Sequence, residues 1–304
     1  ASSNIGGVLT VFDNSQGAMM GGTAFKYLSN TGAIDSIQYL TSGTKGYYFK
    51  ASNGCEVSDS VELFGKSDNY LFVSASDGKN SNYGDIDRPL KTIGKAVEIA
   101  CTGDTIYVLP GTYEEQILIT KPLYLTSNYG RLGDSTAINS TVIKPGNTVK
   151  IEDNVNSNLY SYGGVSVVGL SSSQVTIEGF TIKDWSVSYD GSWDRTGAIV
   201  IANNGNVEIN LNSIIVDGTS QMPTGSCCPS SYVLSALSSN NIHFDNVEFK
   251  NTGSSTQGVE HLAYLSESFI NANELKLSNN YSYDELFWLR FNSSMEVTNS
   301  VFDD

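Results

Sequence analysis

Charge is scarce in this 304-residue chain: Asp, Glu, Lys and Arg together make up 16%. Basic residues are scarcer still, at 17 Lys+Arg against 32 Asp+Glu, which leaves a formal net charge of −15. A field of that sign repels nucleic acid and anionic polymers unless a cation bridges them. No basic cluster interleaved with aromatics offsets it, so nucleic acid is excluded as a partner. No apolar run approaches the roughly 20 residues that a membrane-crossing helix needs. A basic start followed by an apolar core is absent from Ala1-Ser2-Ser3, so no signal peptide is expected in the chain as it stands. With two histidines and four cysteines (Cys55, Cys101, Cys227, Cys228), no metal-ligand spacing arises. Cys101 ends an apolar helix face and is expected to be a buried thiol. The adjacent Cys227 and Cys228 do not readily bond each other, and a bond from one of them to Cys55 or Cys101 stays open. Phosphate-cradling Gly-rich loops are absent too.

What the chain has in quantity is Gly, Ser, Asn and Thr, with 39% hydrophobic residues. That balance suits many short strands joined by tight turns, not helices or disorder. One pattern recurs, apolar-x-apolar-x-x-apolar-x-apolar. It stands at Val175, Ile177, Phe180, Ile182, then Ile209, Leu211, Ile214, Val216, then Ile242, Phe244, Val247, Phe249. Ile270, Ala272, Leu275, Leu277 and a weaker Met295, Val297, Ser300, Phe302 complete the series. Period-two alternation turns one side of each short strand inward, and the two-residue step resets the phase at a bend. Such a unit cannot bury its face alone, so the copies must stack. A β-sandwich is the competing reading, but it demands hairpin signals every 8–12 residues. Here the unit returns at a coil-length period. The expected fold class is therefore all-β: a right-handed parallel β-helix over 68–304. It would start with a short capping helix whose apolar face is Ile93, Ala96, Val97 and Ala100. Because the last unit runs into Asp303-Asp304 without a cap, the coil is expected to continue beyond the given C-terminus.

The coil's entrance carries a strand at Leu71–Val73, Asp77-Gly78, then Pro89-Leu90-Lys91-Thr92-Ile93 with Ala96-Val97. Gly103–Val108 and Pro110–Tyr113 follow. This stretch resembles the opening of pectin-lyase-like right-handed β-helix proteins. The resemblance implies the fold; it leaves activity open, because that superfamily includes lyases, hydrolases, phage tailspikes and non-catalytic surface proteins. Residues 1–67 hold no corner unit and read as a small Ig-like β-sandwich module or part of one. Its end has Tyr47-Tyr48-Phe49, Asn53-Gly54-Cys55 and Ser58-Asp59-Ser60-Val61, with Asn-Gly as a favoured two-residue hairpin turn. These motifs resemble the closing hairpin of Ig-like repeats in secreted adhesins and gliding-motility proteins of Bacteroidetes. That likeness implies export by type 9 secretion, cell-surface placement and surface or secretion-system proteins as partners. It also implies O-glycan candidates at Asp35-Ser36-Ile37, Asp59-Ser60-Val61 and Asp134-Ser135-Thr136, which read equally well as turn residues.

Chemistry is concentrated in the excursion Lys183–Arg195. Its Trp185, Tyr189 and Trp193 could stack on sugar faces, and Lys183, Asp194 and Arg195 would be the acid-base set if the protein is an enzyme. An ordinary loop lying back on the coil is the bland alternative. In Phe287–Phe291, alternation places Trp288 and Arg290 on one face, a second glycan-binding candidate. His243 and His261 lack a nucleophile partner for triad chemistry. Asp77, Asp85 and Asp87 offer oxygen ligands for Ca²⁺, without EF-hand spacing. No family catalytic motif carries over. The expectation is a non-catalytic module of a large secreted surface protein, in adhesion, glycan contact or as a stalk. The alternatives are a polysaccharide lyase or glycoside hydrolase on an extracellular glycan, and a tailspike-like fibre that would not explain the N-terminal hairpin.

Overall fold

The computed structural model describes residues 7–13, 24–29, 45–52, 61–65, 70–82, 84–153, 156–187, 196–218, 232–252, 259, 261–282 and 285–303. The chain divides into two compact units, Ala1–Asn69 and Tyr70–Asp304. In the first, the strands Gly7–Asp13, Ala24–Ser29, Lys45–Ser52 and Val61–Gly65 form one antiparallel sheet in spatial order 2-1-3-4. The second sheet that a sandwich requires is not among the described residues. Phe49 pairs with Val61 across the last two strands, and the Asn53-Gly54 turn expected between them lies outside the described residues.

The second unit is an all-β, right-handed parallel coil of three sheets. The repeat's first half forms the first sheet, eight parallel strands in sequence order. These are Tyr70–Val73, Thr105–Val108, Tyr124–Ser127, Gln174–Glu178, Glu208–Asn212, Ile242–Asp245, Phe269–Asn273 and Ser294–Thr298. The repeat's second half forms the second sheet, from Gly111–Tyr113 through Thr141–Ile143, Thr181–Lys183, Ile215–Asp217, Glu248–Lys250 and Lys276–Ser278 to Val301–Asp303. A third sheet of longer strands (Tyr160–Val168, Thr196–Gly205, Tyr232–Ser239, His261–Ser266, Phe287–Arg290) closes each turn, with Ile117–Ile119 paired at its start.

Register follows the repeat. Val175 stands opposite Ile209, then Ile242, Ile270 and Met295, and Ile177 opposite Leu211, Phe244, Ala272 and Val297. Slipping one strand by one residue would turn its whole apolar set outward, so burial fixes this alignment. At the corner between the first two sheets the residue after the first strand is left-handed in every copy: Gly179 (φ 81°), Ser213 (51°), Asn246 (54°), Glu274 (56°) and Asn299 (51°). That single conformation resets the side-chain phase, which is why Phe180, Ile214, Val247 and Leu275 are again fully buried.

Helix α1 (Ile93–Ile99) buries Ile93, Ala96 and Val97 in the same core cluster as Leu71 and Ile106. Thr92 caps it, accepting from Lys95 N at 3.2 Å. The Glu115 carboxylate accepts from Ile93 N (2.8 Å) and Gly94 N (2.7 Å), tying the helix start to the following coil. Two short helices were not expected, α2 (Asn128–Leu132) and α3 (Thr136–Ser140). Asp134-Ser135-Thr136 lies exposed at the start of α3, with Asp134 Oδ1 accepting from Thr136 N. Cys101 is free and exposed, contrary to the buried thiol expected. The helix ends at Ile99, its C-cap Ala100 takes the last buried place, and Asp104 Oδ2 accepts from Cys101 N at 2.6 Å, turning the chain outward. Cys55, Cys227 and Cys228 lie outside the described residues. No helix is long and apolar enough to cross a membrane, among the described residues.

Candidate functional site

The excursion after Lys183 divides. Tyr189, Trp193, Asp194 and Arg195 lie outside the described residues. Trp185 is corrected: it is 1% exposed and part of the core cluster, so neither indole face can stack on a sugar. Asp184, left-handed at φ 52°, turns the chain so that this large ring falls inward. Lys183 ends its strand in an outward column, Lys183–Asp217–Lys250–Ser278–Asp303, one residue per coil. Its Nζ lies 3.2 Å from Asp217 Oδ2, while Lys144 Nζ meets Asp184 at 2.8 Å and Lys250 meets Glu248 at 3.3 Å. Burial alone would raise the Asp217 carboxyl, but hydrogen bonds from Asn251 and Lys183, with the nearby lysine charges, hold it below its ordinary value. This strip neutralises itself pair by pair.

Trp288 and Arg290 do come together. The Arg290 guanidinium lies 5.0 Å from the Trp288 ring and 4.7 Å from the Phe291 ring. Trp288 also packs against His261 (5.0 Å) and Tyr264 (5.1 Å), and Tyr264 stacks on Tyr232 (5.2 Å). His261, buried in this group, shares a 2.8 Å contact between Nδ1 and the Glu285 carbonyl. The rings are thus occupied by one another and by arginine.

The Ca²⁺ candidates are not gathered. Asp77 accepts from Ser76 Oγ at 2.7 Å, and Asp85 is held by Arg88 through its backbone N (2.7 Å) and Nη2 (2.8 Å). The Asn80 amide oxygen accepts from Lys91 N and Thr92 N. The loop's oxygens therefore serve its own backbone, and Asp87 is exposed with no hydrogen bond or ion pair among the described residues. Among the described residues no three His, Cys, Asp or Glu side chains cluster as a metal would need.

The outward side of the third sheet is closed. Ser166, Val200 and Ser235, successive members of one column, are fully buried, and Tyr264 is nearly so. Its five long strands contain no Asp or Glu, so no acid-base carboxylate pair can be built on them. A polar hollow of about 520 Å³ lined by 170–173 and 203–207 has no charged group.

The first sheet is open along its later coils. Its outward residues form two columns, aligned coil by coil. One runs Tyr70, Thr105, Tyr124, Thr176, Asn210, His243, Asn271, Glu296. The other runs Phe72, Tyr107, Thr126, Glu178, Asn212, Asp245, Asn273, Thr298. With strands about 4.8 Å apart, eight of them span roughly 34 Å. Most of these side chains are half-buried; Tyr70, Asp245, Asn271, Glu296 and Thr298 are exposed, whereas Phe72 and Thr126 near the N-terminal end are buried. The amides of Asn212 and Asn271 make no hydrogen bond among the described residues, whereas Asn273 donates to Asp245 (2.7 Å) and Asn210 to Glu208 (2.9 Å).

At the N-terminal end the face becomes aromatic. Phe72 lies 5.8 Å from Tyr70 and 5.3 Å from Tyr107, and Arg131 of α2 sits over Phe72 (5.2 Å) and Tyr107 (5.9 Å). Beside them Tyr124 and Thr126 donate to the Glu178 carboxylate. Burial, then the bond to Glu178, pushes the Tyr124 phenol up to about 12. Gly130 makes room for this network, since a Cβ there would lie 2.0 Å from Glu178 Oε2. Sequence reasoning missed this surface, because it contributes only two or three residues per coil.

A family model described as "Protein of unknown function (DUF1565)" matches residues 76–281. Solved structures similar to this chain include a pectin methylesterase mutant in complex with a hexasaccharide. It is 15% identical with a TM-score of 0.48, the match covering 77% of this chain and 66% of that one. The pectin methylesterase PemA from Erwinia chrysanthemi is 14% identical with a TM-score of 0.41, over 70% of this chain and 56% of that one. The GH136 lacto-N-biosidase from Eubacterium ramulus is 12% identical with a TM-score of 0.39, over 76% and 51%. The chain thus spans two thirds or less of the length of these proteins. No curated protein matches it.

Proposed function

We propose, from the premise that this chain belongs to the family described as protein of unknown function (DUF1565), that it is a non-catalytic, glycan-contacting module of an extracellular surface protein. The observation that carries the reading is the open face of the first sheet. Hydroxyls, amides and aromatic rings recur there coil after coil at strand spacing, the groups that bond sugar hydroxyls and stack on sugar rings. The acid-free, covered third sheet and the self-paired strip at Lys183 both favour contact over turnover. Trp288 and Arg290, already stacked, would extend the contact only if the guanidinium swings away.

The first unit supports an extracellular setting through its likeness to Ig-like repeats of Bacteroidetes adhesins, and we extend the proposal to export by type 9 secretion. An enzymatic alternative, a lyase or hydrolase, draws on one feature: Lys183 and Asp217 face each other on adjacent coils of an exposed strip. A screen of purified protein for glycan binding and for new unsaturated or reducing ends, with and without Ca²⁺, separates the two. Retention without product, weakened by Asn212→Ala with Asn271→Ala, is the expected result. Product formation abolished by Lys183→Ala would overturn the proposal.

A further inference from the structure

We infer that the open face of the first sheet takes an uncharged polysaccharide laid along the coil axis and rejects polyuronates and other polyanions. The inference rests on the glycan-contact reading and specifies its ligand. None of the eight strands that build the face contains a Lys or Arg. Their side chains include the carboxylates of Glu178, Glu208, Asp245 and Glu296. Three of these four already accept hydrogen bonds from neighbours on the face: Glu178 from Tyr124 and Thr126, Glu208 from Asn210, Asp245 from Asn273. They are built into the surface, so a ligand meets them as fixed negative charges.

The nearest cations do not offset them. Arg131 lies over the Phe72 and Tyr107 rings at the far N-terminal end. Lys183, Lys250 and Lys276 lie around the corner on the second sheet, where Lys183 and Lys250 meet carboxylates and Lys276 donates to Asn246 Oδ1 at 3.0 Å. A chain of carboxylates laid on this face would place like charges side by side along its length, a juxtaposition that suppresses wrong partners. A chain of hydroxyls meets instead the amides of Asn212 and Asn271, which make no hydrogen bond among the described residues, and the phenol edges of Tyr107 and Tyr124. The protein's net charge of −15 adds long-range repulsion of the same sign.

The test uses the whole chain and two polymers of one backbone, a neutral β-glucan and the same glucan oxidised at its primary alcohols to carboxylates. Binding is read by retardation in affinity gels at low and at moderate salt, for the wild type and for Asp245→Lys with Glu296→Lys. The neutral polymer should bind with little salt dependence. The oxidised polymer should bind at least about tenfold more weakly at low salt, with the gap narrowing as salt screens it. The double charge reversal should narrow the gap at low salt, read as the ratio of the same variant's affinities for the two polymers, so that any general loss of binding cancels. Equal or tighter binding of the oxidised polymer at low salt, or a gap that ignores the charge reversal, would overturn the selectivity and leave the glycan-contact reading standing. Retention of neither polymer would count against both.

Discussion

Gly179→Ala isolates what the left-handed corner and the adjoining helix contribute. Gly179 has φ 81°, and a Cβ there would lie 2.5 Å from Ser127 Oγ and 2.7 Å from Tyr129 Cβ. Two costs are added. An L side chain in the left-handed region costs roughly 1–2 kcal/mol. The contact also displaces Ser127, which caps α2 by accepting from Tyr129 N at 3.1 Å, and loss of a cap costs about 1 kcal/mol. A stiffer unfolded chain returns at most about 1 kcal/mol, so the net loss should be near 2 kcal/mol. Glu274, three coils on, shares the corner conformation but is exposed and has already borne the Cβ cost. Glu274→Gly should therefore be neutral or stabilise by up to about 1 kcal/mol. All three tryptophans lie in the second unit, so tryptophan fluorescence in a urea titration follows the coil. If Gly179→Ala leaves the midpoint unchanged, or if both substitutions shift it the same way, the corner argument fails.

Other consequences follow from individual side chains. Removing the Glu115 carboxylate (Glu115→Ala) strips Ile93 N and Gly94 N of their acceptor and should cost about 2 kcal/mol, seen as a lower urea midpoint. The Tyr124 phenol is raised, so its contribution is complete below the ordinary tyrosine value of about 10 and is lost as pH climbs through about 12. Spectrophotometric titration should show late-ionising tyrosines, with Tyr124 and the buried Tyr113 among them, and Glu178→Gln should bring one of them earlier. For Asp217 the native carboxyl is held low, so its stabilisation is present at neutral pH and disappears as pH falls below the ordinary carboxylate range. Asp217→Asn should then be less stable than wild type at pH 7 and indistinguishable from it in strong acid, measured by thermal unfolding across pH.

Much of the coil was legible because its signal is redundant. Val175, Ile209, Ile242 and Ile270 repeat the same inward position, and each copy predicts the next. The capping helix was legible from Ile93, Ala96 and Val97 sharing a face. Helix α2 was not, since it buries none of its residues and holds Gly130 in its middle, leaving no periodicity to read. The site was harder for a different reason. Local density of Trp, Tyr and Asp drew attention to Lys183–Arg195, yet a large ring after a left-handed Asp184 falls into the core. The open face distributes its chemistry one coil at a time, with Asn210, His243 and Asn271 separated by about thirty residues each. Its signal lay in the polar positions of the repeat, which become a surface only once the apolar ones are aligned. Cys101 shows the same limit at one residue's scale, because where a helix stops decides which side of the boundary a thiol falls.

The central claim is that the first sheet's open face holds a glycan without transforming it. The most direct measurement is co-sedimentation with insoluble neutral polysaccharide of the wild type, Asn212→Ala with Asn271→Ala, and Lys183→Ala, with the supernatants assayed for released sugar. The account predicts that the wild type and Lys183→Ala pellet alike, that the double amide variant stays largely in solution while keeping its unfolding midpoint, and that no sugar is released. Release of sugar by the wild type, or undiminished pelleting of the double variant, would contradict it.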